Sequence, residues 1–503
     1  MLYTSIFSDE ITVYWEKQWE LSAPARYRVT LNGTTVTETD YTHASFKDLA
    51  PETPYRLRVD RIEGGKALEC LGDMHLVTPA AKRRIDVTAA PYFAVGDGKT
   101  MNTKALQQAI NDCGADACVY FPEGTYLSGA LDLHSDMELY VDAGAVLQGS
   151  SSLEDYLPKR ESRFEGISMM CYSSLINAGV LDSAGGPNCR NIVIRGKGAI
   201  LGGGKALADD IMESERVRLA DYLAANQDFV KTCENENTIP ARARNRLINL
   251  SNCENVTIAG LTLGYAASWN VHFIYSRNIL TYGCHICSQG VWNGDGWDPD
   301  SAENSVIFDT TFDTHDNSIA IKSGKNPDGN IINRPCVGVW IFHCSGRQCM
   351  AVGSEMSGGV SDVKIWDCDF TRSGGCGIGL KVTDKRGGYI RNVRVRDCRF
   401  VNLRARRVTF NDDGEPGPSL PFMEDILFEN VEFTGVAIPV TGEARPTDVL
   451  LIDGPNDPEH YFRRFTFDGI RIPCSALAKP HTITIKNVAD LTLKGIVCVP
   501  DGE

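Results

Sequence analysis

No stretch of this 503-residue chain approaches the roughly 18 consecutive apolar residues that a membrane-crossing helix needs, so no membrane partner is expected. The opening residues, MLYTSIFSDEITVYWEKQ, lack a basic start followed by an apolar core, and the expectation is a chain without a secretory signal. Positive charge is in deficit. Fifty Lys and Arg face 65 Asp and Glu, a net −15, which argues against nucleic acid as a partner. Matched cysteine pairs at zinc spacing are missing as well. The one close pair, Cys284-His-Ile-Cys287, has no second pair, and strand alternation puts its thiols on opposite faces, so no metal and no cofactor are expected.

What the chain does have is an ordinary globular balance, 43% hydrophobic and 23% charged, which excludes disorder and fibrous repeats. Its 17 cysteines, an odd number scattered along the chain, suit a reducing compartment where they serve as small buried hydrophobes. A cytoplasmic location is therefore expected. At roughly 150 residues per domain the length implies two or more domains unless one is a repeat.

Residues 1–80 alternate in short bursts, ITVYWEK, YRVTLNG, YRLRVDRI and MHLVTP, separated by turn residues, the pattern of a small β-sandwich. The stretch Leu49-Ala-Pro-Glu-Thr-Pro-Tyr55 resembles the L-x-P-x-T-x-Y corner of fibronectin type III domains, with Trp15 as the core tryptophan. After a linker at 79–84 the spacing predicts a short helix near 103–113. Then comes a repeat: NIVIRGKGAI, NVTIAGLTL, NILTYGCHI, SVIFDTTF, GVWIFHCS, DVKIWDCDF, NVRVRDCRF and DILFENVEF, in the central stretch every 23 to 33 residues. Such spacing leaves little room for a helix in each unit. The expected fold is all-β, a right-handed parallel β-helix over 81–503 capped by the early helix, with asparagines of successive coils stacked in ladders inside.

Two acidic loops precede neighbouring strand sets: Asn293-Gly-Asp295-Gly-Trp297-Asp298-Pro-Asp300, and Thr314-His315-Asp316-Asn317. Asp295 and Asp316 are 21 residues apart, about one coil, which places both carboxylates on one outer wall. Two carboxyl groups across a groove are what acid-assisted glycoside cleavage requires, at roughly 6.5–9.5 Å when configuration is inverted. Turn formation by Asp in Gly-rich loops is the competing explanation for each residue taken singly. Lys322 and Lys381 follow at strand ends.

NGDGWDPDS, HDNSIAIKSGKN, AVGSEMSGGV and GIGLKVTDKRGG resemble, in order and spacing, the four motifs of glycoside hydrolase family 28, the polygalacturonases. With its fibronectin-like leader the chain is similar in particular to the bacterial exo-acting polygalacturonases. The resemblance implies an inverting hydrolase with Asp316 as general acid and Asp295 as the base that positions water, and the expected cytoplasmic location implies a small oligosaccharide or glycoside as substrate. The family's Gly-Asp-Asp is His315-Asp316-Asn317 here, and an amide orients water without taking its proton. Its Gly-His-Gly falls on Gly346-Arg347-Gln348-Cys349. Its Arg-x-Lys carboxylate grip is reduced to Gly379-Leu-Lys381, with Arg347 as a possible replacement cation.

Asp298 and Asp300 either help hold water or cap the turn. Trp297 and Trp292 either stack on a sugar or fill the loop. His315 tunes the acid, replaces a base or fills space. Asn293, Asn317, Lys322, Arg347 and Lys381 complete the expected substrate-binding set. The expected activity is removal of a terminal sugar from small pectin-derived oligosaccharides or plant glycosides, with oligogalacturonides or a neutral pendant sugar as the rival substrates. A non-catalytic sugar-binding protein and a calcium-dependent lyase are the readings from other classes.

Overall fold

Alternation with period two needs a partner for its apolar side, and two parts of the chain find that partner differently. The computed structural model describes residues 1–21, 24–409, 415–477 and 482–500. It divides into two units, Met1–Arg84 and Ile85–Glu503, so the boundary falls four residues beyond the expected one.

In the first unit a three-stranded antiparallel sheet (Leu2–Ile6, Ile11–Trp15, His43–Phe46) shares its core with a four-stranded one (Arg26–Leu31, Thr34–Thr39, Pro54–Glu63, Lys66–Val77). Trp15 sits in that core, edge-on to Tyr27 at 5.1 Å. The Ala50 N–H donates to the Tyr55 hydroxyl at 3.0 Å, which ties the corner between two strands.

The second unit is a right-handed parallel β-helix. Each strand pairs in parallel with the strand one coil later, as Met137–Val141 does with Cys189–Gly196 and that strand with Cys253–Ala259. A continuous core of Val, Ile, Leu and Phe runs up the inside. The helix Thr103–Asn111 closes one end through Leu106, Ala109 and Ile110.

Corners decide how such a coil turns. Asp136, Asn191, Asn255, Asn278 and Asn304 occupy one place in five successive coils, all with φ between 53° and 62°. Asn and Asp tolerate this left-handed conformation better than other residues with a side chain. Their amides bond coil to coil: Asn255 Nδ2 donates to Asn191 Oδ1 at 3.0 Å, and Asn278 Nδ2 to Asn255 Oδ1 at 3.1 Å. The expected ladder exists, but it runs along an exposed corner and not inside. The interior is too apolar to satisfy four amide hydrogen-bonding sites per residue.

Cysteines mark a second corner. Cys284, Cys344, Cys368 and Cys398 each directly follow a left-handed residue (Gly283, His343, Asp367 and Asp397). Each turns its Sγ onto the carbonyl two residues back, at 3.2–3.4 Å. Thr310 fills the same place in its coil with a hydroxyl, 2.9 Å from the Phe308 carbonyl. The position requires a small side chain that is apolar yet can give one weak hydrogen bond, which explains part of the high cysteine content. Fifteen cysteines are free thiols, and Cys474 and Cys498 form a disulfide.

One coil departs from the repeat. Between the strands Ala199–Leu201 and Ile248–Ser251 the chain makes the helices Gly204–Arg218, Ala220–Ala225, Gln227–Val230 and Thr238–Ala241. The longest packs Leu207, Ala208 and Ile211 inward and buries Glu215 against Lys159 and Arg218. An antiparallel hairpin, Arg160–Phe164 with Ile167–Cys171, projects from the preceding coil.

Asn278→Val should destabilise the fold by about 1–3 kcal/mol, because a β-branched residue is strained at positive φ and the ladder is broken. Asn278→Gly, which accepts the conformation, should stay within about 1 kcal/mol of the parent in urea unfolding.

Candidate active site

Eleven parallel strands form one wall of the helix, among them Val271–Ile274, Trp297–Asp300, Ile319–Ile321, Met350–Val352 and Ile378–Val382. Along this wall His272, Asp298, Ala320, Ala351 and Gly379 stack in one outward-facing column. The small members, Ala320 and Ala351, pack with Cys349 and Cys376 as a floor. Above and around it lies a cleft of about 250 Å³ lined by Glu165, Glu234, Trp269, Trp292, Asn293, Asp295, Asp316, Asn317, Lys322, Lys325, Gly353, Ser354, Glu355, Lys381 and Arg386.

The two acidic loops meet as their spacing implies. Trp297 pairs with Ile319 in adjacent coils, and the loops before them interlock through Gly296 N–H to the Asn317 carbonyl at 2.9 Å and Asp316 N–H to the Gly294 carbonyl at 3.4 Å. Asn293 is left-handed, and its Oδ1 accepts from Arg244 Nη2 at 2.6 Å. Arg244 also donates to the Trp292 carbonyl at 2.7 Å and lies over the Trp292 ring at 4.8 Å. A buried guanidinium thus holds the loop from behind, and burial pushes its pKa down to about 10.

Lys322 is the electrostatic centre. Its ammonium lies 3.2 Å from Asp295, 3.4 Å from Glu355 and 3.8 Å from Asp298, with 7% of its side chain exposed, and 4.1 Å over the Trp269 ring. Burial acts to lower its pKa, but the carboxylates of Glu355, Asp298 and Asp295 outweigh it and hold the lysine charged. One cation does not balance three carboxylates, two of them buried and Glu355 partly so. Burial pushes Asp295 up to about 7, opposed by Lys322 and assisted by Asp316, and pushes Asp298 well above the usual carboxylate range. The place between these acids, where a metal ion would sit, is filled by the ammonium.

Asp316 is half-buried, and its Oδ1 accepts from the Asn317 N–H at 2.8 Å and Asn317 Nδ2 at 3.0 Å. Asn317 Oδ1 in turn accepts from Lys381 Nζ at 3.2 Å. This lysine explains the glycine two residues before it. A Cβ on Gly379 would lie 3.2 Å from Lys381 Cε and 3.3 Å from Cys349 Sγ, so Lys381 lies across the place an arginine would leave. A guanidinium enters the cleft further along the chain, from Arg386, whose Nη1 donates to Ser354 Oγ at 2.8 Å.

Four expected site residues are elsewhere. Trp297 is fully buried, with its indole N–H on Thr281 Oγ1 at 3.1 Å and its ring edge-on to Phe273, because alternation turns it inward. It offers no face to a sugar. Asp298 faces outward but is sealed below Asp295 and Lys322 and has no exposure. His315 points away from the cleft, where its Nδ1 accepts from the Gly290 N–H at 3.4 Å. Arg347 sits 3.8 Å from Asp313 and does not line the cleft.

Asp300 is also buried, bridged by Arg163 at 3.0 Å and His272 at 3.4 Å. Burial acts to raise its pKa, but Arg163 and His272 hold it below the usual value. Burial pushes His272 down to about 4, so the ring is neutral, taking a hydrogen bond from Arg246 Nε and giving one to Asp300. This network roots the 160–171 hairpin beside the cleft. The alternation did not reveal Glu165, Glu234, Trp269, Lys325, Glu355 or Arg386, which come from insertions and strand ends. Lys325, Glu355 and Arg386 do stand inside the recognised motif stretches, and that was the available signal.

A family model described as glycosyl hydrolases family 28 matches residues 137–498. The chain is 27% identical over 417 residues to an exo-poly-alpha-D-galacturonosidase of Dickeya chrysanthemi, covering 78% of this chain and 68% of that protein. It is 28% identical over 378 residues to a probable polygalacturonase of Vitis vinifera, covering 71% and 70%. Its fold matches a family 28 exopolygalacturonase of Yersinia enterocolitica with a TM-score of 0.80 at 22% identity, over 99% of this chain and 96% of that one.

A reaction that uses Asp295 as base should lose rate on acidification with an apparent pKa near about 7 in kcat/KM, since the carboxyl is protonated below that value. Lys322→Met removes the cation that lowers this pKa, so the acidic limb should move to higher pH. A limb that stays in place, or lies in the ordinary carboxylate range in the parent, would count against the assignment.

Proposed function

The chain belongs to family 28 of the glycosyl hydrolases, enzymes that cleave O-glycosidic bonds, and from that premise we propose that it is an inverting, exo-acting hydrolase releasing a terminal galacturonate from small pectin-derived oligogalacturonides. The observation that carries this reading is the set of cations in a cleft that also holds five carboxylates, Glu165, Glu234, Asp295, Asp316 and Glu355. In a chain of net −15, Lys325, Lys381 and Arg386 line it in addition to Lys322. Arg386 supplies the planar fork that suits a carboxylate, which position 379 lacks.

Asp316 is the general acid. Asn317 donates two hydrogen bonds to its Oδ1, and an oxygen that accepts both is not the one that carries a proton, so the acidic hydrogen belongs on Oδ2. Lys381 orients the amide by occupying its oxygen. Asp295 is the base. Its Oδ1 has no hydrogen-bond partner in the protein and can accept from the attacking water. As water adds at the anomeric carbon, Asp295 takes its proton while Asp316 protonates the departing oxygen.

The exo mode is supported by the walls. Glu165 at the tip of the 160–171 hairpin and Glu234 of the helical insertion both line the cleft, where an uninterrupted coil would leave an open groove. The fifteen free thiols support a reducing compartment, the cytoplasm, and thus small imported substrates. A neutral terminal sugar is the second reading, favoured by these same two carboxylates.

Digalacturonate and a panel of neutral glycosides separate the two, because only the first reading expects the dimer to be the better substrate. Asp316→Asn should lower kcat by roughly 10²–10⁴-fold. Loss of a charged hydrogen bond is worth about 1.5–3 kcal/mol, so Arg386→Leu should lower kcat/KM for digalacturonate about ten- to a hundredfold. If neutral glycosides are cleaved and the Arg386 variant is indifferent, the uronate assignment fails.

A further inference from the structure

We propose that Glu355 is the second carboxylate holding the attacking water, working as a pair with Asp295 beside the Lys322 ammonium. Both side chains line the cleft that contains Asp316, and both lie within hydrogen-bonding or ion-pair reach of Lys322, at 3.2 Å for Asp295 and 3.4 Å for Glu355. Asp295 Oδ1 accepts no hydrogen bond from the protein, and Glu355 Oε2 is the oxygen ion-paired with Lys322 at 3.4 Å, which leaves Glu355 Oε1 for the water. A water molecule has two O–H bonds, and two such acceptors fix its orientation where one leaves it free to rotate.

The other acids near Lys322 do not serve. Asp298 is fully buried and does not line the cleft. Asn317 gives its backbone N–H and one side-chain hydrogen to Asp316 and its oxygen to Lys381, and an amide does not take a proton. Glu355 is the more accessible of the pair, with 14% of its side chain exposed against 3% for Asp295. Its place is set by the backbone. The Ser323 N–H donates to the Glu355 carbonyl at 2.6 Å and the Gly353 N–H to the Ile321 carbonyl at 2.9 Å, which clamps the segment onto the coil that carries Lys322.

In the step, water gives one O–H hydrogen bond to Glu355 and its other proton to Asp295. The water oxygen forms the new bond at the anomeric carbon, the bond to the leaving oxygen breaks, and Asp316 protonates that oxygen. Glu355 accepts without being protonated. This inference rests on the inverting mechanism above, so the anomer first released by the parent enzyme is followed by proton NMR alongside the variants. A parent that is inactive or retains configuration sinks that mechanism. An active, inverting parent leaves the role of Glu355 to the variants alone.

Glu355→Gln should lower kcat about 10²–10³-fold with KM changed less than about threefold. Two restorations separate water holding from charge balance around Lys322. Azide, a nucleophile that needs no deprotonation, should accelerate Glu355→Ala and yield a glycosyl azide of inverted configuration. Asn317→Asp in the Glu355→Gln background, which puts a carboxylate beside the acid, should recover at least tenfold. Circular dichroism and the unfolding midpoint report folding. If Glu355→Gln does not fold, Glu355→Asp, which keeps the charge and shortens the reach, should still lose tenfold in kcat. Retention of more than about a fifth of kcat in the folded Gln or Asp variant, or a loss that neither azide nor Asn317→Asp relieves, would overturn the proposal.

Discussion

A single ammonium inside three carboxylates organises this site. Lys322 is nearly sealed from water, and its charge opposes the burial that penalises the ionised forms of Asp295 and Asp298, so each determines the state of the others. Coulomb interactions in such a place are far stronger than in water, and burial works against every charge at once. The cluster holds together because the ammonium stays charged while burial favours the protonated form of Asp298. Asp295 is left poised near neutrality, at about 7, as a base at neutral pH needs.

That balance depends on the coil. The four participants come from segments adjacent in the stack: Asp295 and Asp298 at one strand, Lys322 at the end of the next, Glu355 after the one beyond. Coil spacing is the interstrand distance of a β-sheet, so residues in register are brought within reach of one another whatever the loops do. Register is held by the left-handed corners, with their exposed amide ladder and the interior cysteines that cap the second turn. Stability invested in the corners thus appears as precision at the cleft.

The same register explains which expectations failed. Trp297 and Asp298 are neighbours in a strand, so one faces the core and the other the cleft wall, and full burial denies Trp297 a sugar and keeps Asp298 out of the cleft where it was expected to hold water. His315 and Arg347 lie in corner segments whose direction depends on the next coil's backbone, which no single strand pattern contains. Lys381 was anticipated as a substrate cation; in the structure it lines the cleft and also keeps Asn317 aimed at the acid.

Alternation, polar corner residues and a repeat of 23 to 33 residues by themselves determined that the chain coils in parallel, because period-two burial and left-handed turns are local properties of the backbone. They also determined that Asp295 and Asp316 share a wall, since their separation is one coil. Tertiary structure alone decided the rest: that Lys322 serves the acids, that Arg386 and Glu355 reach the cleft, and that the tip of a hairpin and a turn of the helical insertion wall it in. Those facts depend on what stacks above and below a residue, and on burial that sets which charges survive, neither of which is carried by the residues next to it in the chain.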